Sequence, residues 1–158
     1  MKKSGLADYG AYRKSLELFD LVAKDMETLK GEFSLGRLVS QQLASADSIS
    51  ANIEEGYGRL SRKEYVRFLD FARGSARETY GRYRRMKHWL SEDVVHRRME
   101  LLDEIIGILT ATITTLRREE VSRVEGGVRE DPVDYGLDSG AVPSTLDTQH
   151  SHYEKYTQ

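Results

Sequence analysis

Cysteine is absent from this chain, which excludes disulfides, thiol nucleophiles and thiolate metal sites together. Proline is nearly absent, and both copies, Pro132 and Pro143, fall after residue 118. No apolar run approaches the roughly 20 residues that span a bilayer. The opening MKKSGLADYG carries two lysines but lacks the apolar core of a signal peptide. These absences predict a cytoplasmic chain with no membrane partner. Its 158 residues are enough for one domain with a sizeable core.

Charge is present in both signs but unevenly placed. The net charge of −2 conceals nine acidic against three basic side chains from residue 119 onward. Between residues 59 and 88 ten Lys or Arg stand against only Glu64, Asp70 and Glu78. A concentration of that kind draws a polyanion even when the total charge does not.

Apolar residues recur at helical spacing in four segments. The first stripe is Tyr12, Leu16, Phe19, Ala23 and Met26. The second is Leu35, Val39, Gln42, Ala46, Ile49 and Ile53, and the third runs from Tyr65 through Leu69, Ala72, Ala76, Thr79, Tyr83 and Met86 to Leu90. The fourth, Val95, Met99, Leu102, Ile106, Leu109, Ile113 and Leu116, is the cleanest. Steps of three and four sustained over several turns predict helices packed at a shallow angle. Ser61 and Glu64 form a capping-box pattern, Ser91 precedes Glu92 and Asp93 at a helix start, and Gly31 and Gly56 suit helix C-termini. The reading is an all-α protein: an antiparallel up-down-up-down four-helix bundle over residues 1–118. Residues 119–158 lack apolar periodicity and read as an acidic, mostly disordered tail.

A polar stripe of Gln41, Ser45, Ser48, Asn52 and Glu55 accompanies the apolar one on the second helix. On the third, Gly74 and Gly81 stand one heptad apart with Glu78 between them. Glycine inside a helix costs roughly 0.5–1 kcal/mol relative to alanine, so the pair predicts close approach by another backbone. Glu55 faces the unfavourable end of its helix dipole, and Arg59 or Arg62 is the expected counter-ion. These features predict a polar helix–helix seam, within the chain or between subunits, rather than a catalytic pocket.

The stretch SISANIEEGYGRLSRKEYVRFLDFARGSARE resembles the signature of four-helix-bundle proteins encoded in intervening sequences of bacterial 23S rRNA genes. Ser48, Ile49, Asn52, Ile53, Glu55 and Gly56 match its first part; Ser61, Glu64, Phe68, Ala72, Arg73, Gly74, Ser75 and Glu78 match the rest. Where that family commonly has a proline after Ser-Ile, this chain has Ser50. The resemblance covers about residues 9–118 and implies a bundle that assembles into a ring, a homopentamer. It implies association with RNA and no settled biochemical activity. A related branch, the accessory proteins of diversity-generating retroelements, works with a reverse transcriptase. With the signature added, the seam is assigned to Ser48, Asn52, Glu55, Gly56, Arg73, Gly74, Ser75 and Glu78.

On the third helix Arg73, Arg77, Tyr80, Arg84 and Lys87 share one stripe. Arg62, Lys63, Arg77, Arg84, Arg85 and Lys87 have no acid three or four positions away. Unpaired cations with an interleaved aromatic suit phosphate binding and base stacking, so these six and Tyr80 are the candidate nucleic-acid contacts. Pairing of Arg82 with Glu100 and of Arg77 with Glu104 would neutralise part of the patch. His88 and His96 flank a turn, and His150 and His152 lie in the tail; neither pair predicts a metal site, and no cofactor is expected. Arg82 and His88 carry the spacing of some helical ribonucleases, a reading that needs His88 as acid or base. The chain is expected to be non-enzymatic, with a retroelement accessory subunit and a purely structural oligomer as alternatives.

The acidic tail is complementary to the basic segment and would compete with nucleic acid for it. Deleting residues 119–158 is expected to strengthen RNA binding in low salt; unchanged affinity in a filter-binding titration would remove that idea.

Overall fold

Each apolar stripe lies on a helix. In the computed structural model, which describes residues 5–125, α1 spans Gly10–Glu27, α2 Gly36–Tyr57, α3 Arg62–Met86 and α4 Glu92–Glu125. Short 3-10 turns at Leu6–Asp8 and Phe33–Leu35 precede α1 and α2, and no strand occurs among the described residues. Ser61 caps α3 by accepting from the Glu64 backbone N–H, and Ser91 accepts from Val94 N–H at the start of α4. α2 runs unbroken through Ser50, whose hydroxyl donates to the Asp47 carbonyl.

Contacts between helices fix their directions. Tyr12, early in α1, donates to Glu54 near the end of α2, while Gln42 of early α2 donates to the Thr79 carbonyl in late α3. Arg62 and Asp70 of early α3 meet Glu119 and Arg117 of late α4. Tyr9, just before α1, donates to Thr112 far along α4. Beginnings meet ends at every step, so neighbouring helices are antiparallel and α4 closes the bundle against α1.

Three sequence expectations are corrected. The core line of α1 is Ala11, Ser15, Leu18, Val22 and Asp25–Met26, while Leu16 of the expected stripe is 42% exposed. Gly56 lies inside α2, which ends a residue later and is capped by Gly58; α1 ends at Glu27, four residues before Gly31. α4 continues to Glu125, past residue 118. The disordered-tail reading of residues 126–158 lies outside the described residues.

The second, third and fourth stripes face inward, burying Ile49, Ile53, Leu69, Tyr83, Met86, Leu102, Leu109 and Ile113 almost completely. Two polar devices cross this core. Between α2 and α3, the Thr79 hydroxyl donates to Ser45 Oγ at 2.9 Å, which donates on to the Gln42 carbonyl. At the end of the bundle near the α3–α4 turn, Asp25 accepts from Tyr83 Oη at 2.7 Å and from Arg98 Nε and Nη2 at 2.8 and 3.0 Å. Burial, reinforced by the Asp25 bond and charge, pushes the Tyr83 phenol well above its ordinary value. Burial opposes the charge on Arg98, but its bond to Asp25 and the carboxylate's charge more than offset this.

Removing one member of such a group costs more than the group contributes, because the remaining charge is left buried and unpaired. Arg98→Ala should therefore destabilise by about 3–5 kcal/mol. Tyr83→Phe, which deletes one hydrogen bond to a charged acceptor, should cost about 1.5–3 kcal/mol. The double replacement Asp25→Leu with Arg98→Met should cost less than Arg98→Ala alone. Urea unfolding followed by circular dichroism checks this order, and an Arg98→Ala variant as stable as the parent would contradict it.

Candidate nucleic-acid interface

The expected seam residues divide by what they touch. Ser48 and Ser75 hydroxyls and the Asn52 amide donate to carbonyls four residues back in their own helices. Glu55 pairs with Arg59, one of its two expected counter-ions; Arg73 pairs with Asp70 and Glu78 with Arg82, all within one turn. The close approach expected at Gly74 and Gly81 is found instead at Gly56. A Cβ there would stand 2.8 Å from Phe68 Cβ and 3.1 Å from the Tyr65 ring, so α2 and α3 meet over a bare backbone. Gly74 has nothing within 4 Å of that position, and Gly81 meets only the Arg85 guanidinium. No backbone among the described residues explains either α3 glycine.

The basic residues fall into two groups at opposite ends of α3. Arg62 donates to Glu119 of α4, a partner that spacing along one helix does not reveal. The Arg62 bond and charge hold the Glu119 carboxyl below its ordinary value, so the pair persists at neutral pH and releases as pH falls through that lowered value. Lys63 lines a cleft of about 450 Å³ that also contains Glu64, Asp70 and Glu120. That end is electrically mixed.

At the other end Glu92 is the one acid lining the two clefts, against Arg84, Arg85 and Lys87. Arg84, Arg85 and Lys87 are exposed and, with Arg77, make no ion pair among the described residues. The expected neutralising pairs do not form: Arg82 bonds Glu78, Glu104 takes Lys14, and Glu100 takes His96. Two clefts open here. One, of about 620 Å³, is lined by Leu38, Gly81, Arg84, Arg85, Lys87, His88 and Trp89. The second, of about 650 Å³, lies between α3 and α4 and shares Arg84 and Lys87 with it, adding Glu92 and His96. Tyr80 is half-buried against the core and lines neither cleft. Trp89, which sequence spacing did not single out, is the aromatic exposed beside the cations, at 48%. Its position just after the basic run in RRMKHW is the signal that periodicity overlooks.

The ribonuclease arrangement is not assembled. His88 lines a cleft with Arg84 and Arg85, whereas Arg82 is drawn to Glu78 with its side chain 15% exposed. Among the described residues no three His, Asp or Glu side chains are grouped to hold a metal, and His150 and His152 lie outside them. No helix among those residues is long and apolar enough to cross a membrane.

A sequence model of the family described as 23S rRNA-intervening sequence protein matches residues 7–111. The crystal structure of a protein of unknown function from the S23 ribosomal protein family of Bacteroides thetaiotaomicron is similar, with 25% sequence identity and a TM-score of 0.62. The similarity covers 65% of this chain and 97% of that one. No curated protein matches.

The glycine geometry gives opposite expectations for one substitution. Gly56→Ala forces a methyl into Phe68 and should destabilise by about 1–3 kcal/mol. Gly74→Ala meets open space among the described residues and should stabilise the monomer by roughly 0.5–1 kcal/mol. Thermal unfolding of both variants, with light scattering to report any change in assembly mass, checks the pair.

Proposed function

This chain belongs to the 23S rRNA-intervening sequence protein family, and we propose that it is a non-enzymatic, cytoplasmic, ring-forming bundle that holds RNA against the α3–α4 end. The observation that carries this reading is the group Arg84, Arg85 and Lys87, exposed and making no ion pair among the described residues, around two clefts of which Glu92 lines one. Guanidinium forks bind phosphate oxygens in pairs, and displacing counter-ions from a polyanion supplies most of the affinity. The family's name, which ties it to ribosomal RNA genes, supports RNA as that polyanion.

Assembly into a homopentameric ring has support of a different kind. Gly74 sits mid-helix where glycine costs stability, and nothing among the described residues approaches the position of its missing Cβ. Phe71, one turn earlier on the same helix, is 46% exposed. A second copy packing against this face would use both, with the glycine admitting a close helix and the ring of Phe71 losing its contact with water.

Affinity for a single-stranded RNA should fall steeply with salt, with a slope of about −0.7 in log–log form per phosphate neutralised. Replacing Arg84 and Arg85 together by glutamate should weaken binding at all sequences and flatten that slope by roughly 1.4 or more. Lys63→Glu, at the mixed end of α3, should change little. Salt-independent binding, or a double variant that binds as the parent does, would rule the reading out, and light scattering of the purified protein tests the ring.

A further inference from the structure

The cleft between Leu38 and Trp89 combines three elements that a plain basic patch lacks. Trp89 leaves nearly half its surface to solvent, yet it is held: its backbone N–H donates to the Met86 carbonyl at 2.9 Å. His88 stands edge-on to it, with ring centroids 5.8 Å apart and planes at 80°. The backbone bond fixes the turn from which the indole projects, and the His88 contact leaves much of the indole surface open to a flat group. Arg85 folds back along α3, its guanidinium 3.6 Å from where a Cβ of Gly81 would stand, so a positive fork lies over bare helix on the cleft wall. Arg84 and Lys87 supply two further cations at the rim, and no acid lines this cleft.

We infer that this cleft is a single-strand site, in which Trp89 stacks on an unpaired RNA base while Arg84, Arg85 and Lys87 hold the adjoining phosphates. The inference rests on the RNA reading above and sharpens it. A duplex keeps its base faces stacked on one another, so it can offer the cations its phosphates but gives Trp89 no face to meet. A single strand offers both. Stacking on an aromatic side chain tolerates every base, which makes the site one for unpaired RNA of broad sequence rather than for a motif.

Trp89 is the only tryptophan in the chain, so its fluorescence reports the contact directly. The full-length protein is titrated with a short oligoadenylate, a short oligouridylate and a blunt RNA duplex. Both single strands should quench Trp89 saturably, and the duplex should bind through the cations without quenching. Trp89→Ala should weaken single-strand affinity roughly tenfold or more and leave duplex affinity unchanged. Trp89→Phe, which keeps a stacking ring, should retain most of it, and circular dichroism of both variants confirms that the bundle is intact. Single strands that bind without quenching, or with affinity indifferent to Trp89→Ala, would overturn the single-strand site and leave the basic RNA surface standing. Failure of every RNA to bind would overturn both. An emission already blue-shifted without RNA and unresponsive to it would place the indole in a contact between copies, and would likewise overturn the inference.

Discussion

Burying the Asp25 carboxylate forces three helices to agree on one geometry. Its side chain is 8% exposed, and the hydrogen bonds it accepts come from Tyr83 of α3 and Arg98 of α4. Apolar seams of the kind that line this bundle tolerate repacking and small shifts, whereas a forked guanidinium on a carboxylate does not. An ion pair of this sort is weak evidence for added stability, since desolvating both charges cancels much of the attraction. Its effect is to select one register. Tyr83 immediately precedes Arg84 and Arg85, so turning its phenol inward to Asp25 turns those arginines outward. Arg98, two turns into α4, ties down the far side of the same turn. The end of the bundle that carries the proposed RNA surface is thus set by a buried acid on a helix that contributes nothing to that surface directly.

The helices were legible because in α2, α3 and α4 the stripe of threes and fours runs largely along the buried line. α1 misleads for a physical reason. Its core line includes Ala11, Ser15 and Asp25, small or charged residues, while Tyr12, Leu16 and Phe19 flank that line with larger apolar surface. A reading weighted by apolar size follows the flank. Only the partners across the bundle show that Asp25 belongs inside, and those partners are 58 and 73 residues away in sequence. Gly56 posed a similar problem: glycine near a helix end suggests a terminator, and the actual reason is the Phe68 side chain pressing on it from α3.

Electrostatics divided along the same line. Pairs one turn apart, such as Glu55–Arg59, Asp70–Arg73 and His96–Glu100, follow from helix spacing alone. Pairs between helices do not. Arg62 looked free until Glu119 came alongside it from α4, and Asp70 turned out to serve Arg117 as well as Arg73. Among the described residues Lys63, Arg77, Arg84, Arg85 and Lys87 keep no ion pair, and the last three crowd the α3–α4 turn. Trp89 escaped notice because it belongs to no stripe; it lies in the turn, where periodicity has nothing to say and exposure decides.

Part of that subset has a reason to exist without any ligand. Arg84 and Arg85 occupy the last turn of α3, where the helix dipole favours positive charge by about 0.3–1 kcal/mol each. The same crowding works against the fold, because Arg84 and Lys87 are three residues apart and like charges at that spacing cost about 0.2–0.5 kcal/mol. Arg77 lies more than two turns from the helix end, beyond the reach of the dipole, and no acid among the described residues pairs with it. Capping the helix therefore explains two of the four cations and leaves the set under-compensated, which is the condition in which an external polyanion is favoured over solvent. In the proposed ring each copy would repeat the cleft, so an RNA held by one would meet the next at high effective concentration. A weak individual site would then suffice, which fits an open surface of this size better than a deep, selective pocket would.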